Sequence, residues 1–159
     1  MGRDVIDIGS VLTRLGQIAA LPREATQRDA ATLAAEQLQL AEAILMVWVK
    51  ARGAAPTTRR KEGFRLLSLH AQGARGEPSF NACRETCREI VFRHNVVLSP
   101  ATEEEREYAL RLMTMVVRHL AHFVSGKLEV AGLGEFCCAS RPLRQSSDGA
   151  GIALEPSGV

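Results

Sequence analysis

Apolar residues recur at helical spacing along most of the chain, and the longest such stretch lies at residues 99–126. Ser99 and Pro100 form a helix start, because serine caps helix N-termini, proline suits the first turn, and four glutamates follow. From Tyr108 to Val124 apolar residues cover most of the helix circumference. A helix of this kind is normally buried on several sides. We therefore predict a buried central helix over 99–126.

The same periodicity predicts four further helices before the central one, at residues 4–20, 26–52, 59–72 and 79–95. After the central helix, KLEVAGLGEFCC contains too many glycines for a long helix, so we expect a loop or a short strand at 127–136. The chain is therefore predicted to be an all-α bundle of about five helices.

The helix predicted at 26–52 repeats small and apolar residues at alternating spacings of three and four. This is the spacing of a helix-pairing seam, and the residues concerned are Ala31, Ala34, Leu38, Ala41, Leu45 and Trp48. Two interpretations remain open, namely packing inside the protein and pairing between two copies. We favour packing inside the protein, against the central helix.

Composition limits the possible domain organisation and the cellular location of the protein. With 159 residues and 46% hydrophobic content the chain is long enough for one domain with a sizeable core. We place the helical domain at 1–138 and a flexible tail, rich in Ser, Gly and Pro, at 139–159. The N-terminus has no uninterrupted apolar segment and the four cysteines have no secretory context, so we expect a cytoplasmic protein. Charged residues interrupt the central helix, so we expect no membrane partner.

Motifs that carry enzyme chemistry are missing from the sequence. There is no phosphate-binding glycine loop, no HExxH, no GxSxG, and no Glu-x-x-His pair of the kind that builds metal sites in helical bundles. We therefore expect a protein that is not an enzyme and needs no cofactor.

Cysteines and histidines provide the candidate metal ligands, which are Cys83, Cys87, Cys137, Cys138, His119 and His122. Four thiolates match the ligand number of zinc, but one pair is separated by a helical turn and the other is adjacent, unlike the usual C-x2-C spacing. We favour small core residues for the cysteines and hydrogen-bonded residues at the edge of a buried face for the histidines. Zinc binding and redox chemistry of the cysteines stay open as alternatives.

Basic residues cluster in the middle of the chain and suggest nucleic acid as a partner. The segment LLSLHAQG resembles the first helix of some bacterial helix-turn-helix domains, although the six residues GARGEP stand where those domains have a short turn. The candidate phosphate contacts are Arg59, Arg60, Lys61, Arg84 and Arg88. The alternative is an exposed face of paired charges, because acids alternate with these bases and the net charge is only +2.

These observations lead to one functional hypothesis and two alternatives. We expect a cytoplasmic regulatory or adaptor protein that acts through protein–protein contact, including self-association as a homodimer. The first alternative is a DNA-binding transcriptional regulator that uses the basic region 59–93. The second is a metal-binding helical bundle, with zinc as its metal.

Overall fold

Helices account for nearly all of the regular structure in the computed structural model, which describes residues 7–132. The described residues form six α-helices and one 3-10 helix, and contain no strand beyond a single bridge between Lys61 and Phe64. The predicted all-α bundle is therefore confirmed. In chain order the elements are α1 (Ile8–Ala19), α2 (Arg23–Arg28), α3 (Ala30–Ala51), α4 (Arg65–Ala74), the 3-10 helix (Pro78–Cys83), α5 (Arg84–Leu98) and α6 (Glu103–Ala131).

The first two predicted helices appear as three. Helix α1 lies within the predicted range 4–20 but begins only at Ile8, because the Asp7 carboxylate caps it by accepting a hydrogen bond from the Ser10 N–H at 2.7 Å. The helix predicted at 26–52 is divided at Asp29, whose backbone leaves the α conformation. Thr26 does not begin a helix; it lies buried inside α2, where its hydroxyl donates to the Pro22 carbonyl.

Helix α3 supplies much of the core. It packs against α1, α2, α4 and α5. Four residues of the predicted seam, Ala34, Ala41, Leu45 and Trp48, are buried. The interpretation that this seam packs inside the protein is confirmed for these four positions.

Among the described residues, α3 alone is long and apolar enough to cross a membrane by length and composition. The core helix of a soluble protein meets the same criterion. Contact with four other helices accounts for the apolar composition of α3 without a membrane.

Helix α4 begins six residues later than the sequence suggested. Glu62 and Gly63 both have positive φ, at 54° and 87°, and form a tight turn closed by the bridge between Lys61 and Phe64. An α-helix cannot pass through such a turn, so the predicted start at residue 59 is wrong.

The predicted helix ends before Gly73, but in the structure Gly73 lies inside α4 as a packing residue. A Cβ atom at Gly73 would come within 3.0 Å of both the Trp48 and Phe80 rings. The Trp48 indole N–H donates to the Gly73 carbonyl at 3.0 Å, and the Trp48 and Phe80 rings stack at 4.9 Å between centroids. Glycine at this position therefore permits close contact between α3, α4 and the 3-10 helix.

The boundaries of α6 also differ from the prediction. Ser99 ends α5, and Thr102 starts α6 with a capping box: the Thr102 hydroxyl accepts from the Glu105 N–H, and the Glu105 carboxylate accepts from the Thr102 N–H. Gly126 lies within the helix, which continues to Ala131, so the predicted loop or strand is wrong over residues 127–131. The predicted tail at 139–159 and the division after residue 138 lie outside the described residues.

The burial of α6 is one-sided over its length to Gly126. Its inner face is buried and consists of Ala109, Leu110, Met113, Val117, Leu120, Ala121 and Val124. Tyr108 and Met115 on the opposite face are 64% and 66% exposed, so burial does not extend to all sides. Arg111 joins α6 to the end of α1 by donating to the carbonyls of Ala19 and Leu21.

Candidate functional sites

The first candidate site is a pair of buried thiols where the 3-10 helix meets α5. Cys83 is the last residue of the 3-10 helix and the N-cap of α5, and Cys87 lies one helical turn later. Both are free cysteines, 2% and 0% exposed respectively. The Cys83 thiol donates to the Phe80 carbonyl at 3.1 Å, and His70 Nε2 lies 3.3 Å from the same oxygen. The fold thus brings His70 of α4 to two cysteines at the start of α5. Cys83 comes just before this helix, and Cys87 lies in its first turn.

The two thiols differ in acidity because of their surroundings. The Cys87 thiol donates to Cys83 and, together with the nearby His70 ring, lowers the pKa of Cys83 to about 6 in spite of burial. The hydrogen bond between Cys87 and Cys83, then burial, and then the negative charge on Cys83 raise the pKa of Cys87 well above its ordinary value. The pair therefore consists of one acidic thiol and one thiol that stays protonated.

The predicted metal ligands are not brought together within residues 7–132. No group of three or more His, Cys, Asp or Glu side chains in that part of the chain is placed to hold a metal ion. His119 and His122 are exposed on α6, and no third ligand among the described residues joins them. Cys137 and Cys138 lie outside the described residues, so zinc binding that includes them stays a prediction.

The predicted phosphate contacts do come from two segments that meet in space. Arg88 of α5 donates to the Glu62 carboxylate at 2.8 Å, across 26 residues of sequence. Arg88, and then the charges of Lys61 and Arg84, lower the pKa of Glu62, which places all three bases around one acid. Arg59 and Arg60 are exposed beside them in the chain. We call these residues, Arg59, Arg60, Lys61, Arg84 and Arg88, the basic surface.

A third candidate site is the exposed side of α6, which sequence analysis missed. Tyr108, Leu112, Met115, His119 and His122 follow one another at spacings of four, three, four and three, and so lie on one side of the helix. Tyr108, Met115 and both histidines are exposed, while Leu112 is half-buried. We call these five residues the α6 outer face. Their spacing can be read from the sequence. Because apolar residues occur all round the helix, however, the sequence did not show which side is exposed to solvent.

The α6 outer face continues toward α5. An open groove of about 410 Å³ lies between the two helices, and Arg93, Val96, Glu105 and Tyr108 contribute to its walls. Phe92 of α5 is also exposed, and the guanidinium of Arg93, which lines the groove, lies 5.1 Å from its ring centroid. Exposed apolar and aromatic residues therefore occur on both helices of this side.

Comparisons with protein families, with curated proteins and with solved structures each gave no match to this chain. Functional inference therefore depends on the geometry of the three sites described above.

Proposed function

We propose that this chain is a non-enzymatic regulatory or adaptor protein that acts through protein–protein contact and forms a homodimer through the α6 outer face. The observation that carries the proposal is the exposure of Tyr108 and Met115, at 64% and 66%, on a helix whose other side is buried. Adjoining exposed apolar side chains in a folded protein mark interaction surfaces more often than isolated ones do.

The spacing of the α6 outer face suits another helix as its partner. Alternating intervals of four and three residues keep one stripe of side chains facing a neighbouring helix over several turns. Tyr108, Leu112 and Met115 supply the apolar part of this stripe, and His119 and His122 continue it. A second α6 presents the same stripe, so two copies are complementary in shape and chemistry.

Charge favours the antiparallel arrangement of the two helices. The first turn of α6 carries Glu103, Glu104 and Glu105, whereas Arg118 and His119 follow the apolar residues. With a two-fold axis at Met115, the middle of the stripe, Tyr108 of one copy meets His122 of the other, and the glutamates of the two copies lie at opposite ends of the interface. Parallel pairing would instead place the acids of both copies side by side, which is unfavourable and would lower specificity.

The experiment is light scattering of the purified protein over a range of concentrations. We expect a mass approaching twice 17.3 kDa as concentration rises. Met115→Glu places a charge in the centre of the proposed interface and should keep the protein monomeric. Ala35→Glu, at an exposed position on α3, is the matched control and should dimerise like the unchanged chain. A monomer at every concentration, or equal effects of the two variants, would contradict the proposal.

The basic surface supports a second candidate function, nucleic-acid binding by a regulator. The supporting observation is that bases distant in sequence, Lys61 on one side and Arg84 and Arg88 on the other, surround Glu62. Five bases exceed the two acids beside them, Glu62 and Glu85, and leave a positive surface, as phosphate contacts require. Because the net charge is only +2, we rank this function below protein binding.

Binding to mixed-sequence duplex DNA at about 50 mM salt tests this second function, since phosphate contacts are strongest at low salt. Arg84→Gln should weaken binding and reduce its salt dependence. Arg28→Gln removes the same charge from α2 and should have little effect. If the unchanged protein does not bind under these conditions, the DNA hypothesis is wrong. We place either function in the cytoplasm, as expected from the sequence.

A further inference from the structure

The cysteine pair at the start of α5 takes no part in the proposed contact through α6. Cys83 and Cys87 lie one turn apart where the 3-10 helix meets α5, and a hydrogen bond joins them. His70 reaches the same place from α4 and is itself nearly buried. Cysteines that only fill a core need neither a second thiol nor a histidine beside them.

We propose that Cys83 and Cys87 form a reversible redox site, in which hydrogen peroxide oxidises the two thiols to a disulfide. The Cys83 thiolate attacks one peroxide oxygen, the O–O bond breaks, and hydroxide leaves, so that Cys83 becomes a sulfenic acid. The Cys87 sulfur then attacks the Cys83 sulfur, forming the S–S bond and releasing the hydroxyl as water with the Cys87 proton. In total two thiols lose two electrons and two protons, and one peroxide becomes two waters.

The roles of the two cysteines follow from their surroundings. The thiolate is the nucleophilic form of cysteine, and the surroundings of Cys83 favour that form. Once Cys83 has become a neutral sulfenic acid, the negative charge that helped to hold the proton on Cys87 is gone, so Cys87 can lose its proton as it attacks. Cys87 is fully buried, but in this step it needs to reach only its neighbour. His70 acts as a positioning residue that stabilises the Cys83 thiolate.

The backbone at Cys83 allows the two sulfurs to approach. Cβ atoms four residues apart in a helix are about 5 to 6 Å apart, whereas a disulfide needs roughly 3.5 to 4.5 Å. Cys83 does not belong to the regular helix, with φ −92° and ψ 6° at the junction of the 3-10 helix and α5. Rotation at this junction closes the distance while the rest of α5 stays helical. Oxidation therefore moves Cys83 away from Phe80 and loosens the first turn of α5.

Peptide mapping tests the disulfide directly, because trypsin separates the two cysteines. Cleavage after Arg75, Arg84 and Arg88 gives the peptides 76–84 and 85–88, with one cysteine each. After peroxide treatment of the full chain and digestion without reductant, we expect these two peptides to be linked and lighter by two hydrogens than their sum. A reductant should separate them. No linked pair, or links only to the peptide that carries Cys137 and Cys138, would overturn the proposal.

Two variants test the order of the steps. In Cys87→Ser the Cys83 sulfenic acid has no neighbouring thiol to react with, so a dione that traps sulfenic acids should label peptide 76–84. In Cys83→Ser the same dione should leave peptide 85–88 unlabelled. Labelling of Cys87 in place of Cys83 would contradict the assignment of the nucleophile.

The rate of alkylation of Cys83 against pH tests His70. The rate should fall as pH decreases through about 6, because the thiolate takes up a proton there. His70→Gln should move this midpoint to higher pH, whereas His119→Gln, on exposed α6, should leave it unchanged. A midpoint near 9.0, the ordinary value for cysteine, in the unchanged protein would contradict the proposal. An equal midpoint in His70→Gln would contradict the role of His70. The circular dichroism of each variant shows whether it has folded.

Discussion

Helices α3 and α6 are the two longest helices of the described residues, but they differ in how fully they are buried. Both are long and rich in apolar residues. Helix α3 packs against four other helices and buries large side chains such as Trp48, whereas α6 leaves Tyr108 and Met115 exposed. Apolar residues around a helix therefore do not by themselves show that every side of it is buried. The side that stays open is where we propose contact with a second copy.

The two helices also differ in their buried polar residues. Thr114 of α6 is buried and its hydroxyl donates to the Leu110 carbonyl one turn earlier. Gln37 of α3 is fully buried, and within residues 7–132 neither its amide nitrogen nor its amide oxygen has a hydrogen-bond partner. An unpaired buried amide lowers stability. Helix α3, the more fully buried of the two, therefore contains the buried polar residue that lowers stability, Gln37.

We expect the largest loss of stability from a substitution in α3, the more fully buried helix. Trp48→Ala removes a fully buried ring, its stacking on Phe80 and its hydrogen bond to Gly73. We expect the free energy of unfolding to fall by about 3 to 5 kcal/mol. Urea unfolding followed by circular dichroism measures the change. A loss below about 1 kcal/mol, the typical effect of a point mutation, would show that α3 is not the better-packed helix.

Gln37→Leu should change stability in the opposite direction. Leucine keeps a similar volume and removes the unpaired amide, so we expect the free energy of unfolding to rise by about 1 to 3 kcal/mol. Gln39→Leu is the control on the same helix, because Gln39 is exposed and should change stability little. Destabilisation by Gln37→Leu would mean that the amide of Gln37 is satisfied in solution.

The start of α6 should be sensitive to its cap. Thr102→Ala removes the hydroxyl that accepts from the Glu105 N–H, so we expect a loss of about 1 kcal/mol. Thr32→Ala, at an exposed position within α3, lacks this role and should not destabilise the protein. Thermal unfolding of the two variants side by side distinguishes a cap from the general effect of losing a threonine.

The smallest expected effect is on the open side of α6. Met115→Ala removes a side chain that is 66% exposed, so the free energy of unfolding of the monomer should change by less than about 0.5 kcal/mol. The measurement is urea unfolding at a protein concentration where the chain is monomeric. A loss as large as that of Trp48→Ala would show that Met115 is covered in the monomer, and the contrast between the helices would disappear.

Predictions from the sequence failed mainly at helix ends. Helical periodicity identified α1 and the inner residues of α6, because one face of each helix must be apolar to be buried. Ser99 and Thr102 are both acceptable caps, but the capping box of Thr102 with Glu105 starts α6, and Ser99 ends α5. Gly73 has the chemistry of a stop, but it was retained within α4 because Trp48 and Phe80 need the space.

The candidate sites also combine features that the sequence predicted with features that only the structure showed. Sequence analysis identified the bases of the basic surface, and the spacing of Cys83 and Cys87, because residues close in the chain remain close in a helix. It did not identify the contact of Glu62 with Arg88, or His70 as the neighbour of the cysteines. Each of these contacts joins segments that are distant in the chain.

The sequence by itself determined that this protein is an all-α bundle, because the spacing of apolar residues is a local property that the helix period turns into a buried face. Tertiary structure alone decided which helix is covered on several sides, which side of α6 stays open, and which histidine stands beside Cys83. Those outcomes depend on contacts between distant segments, which form only where shape and volume match. No short-range pattern specifies them.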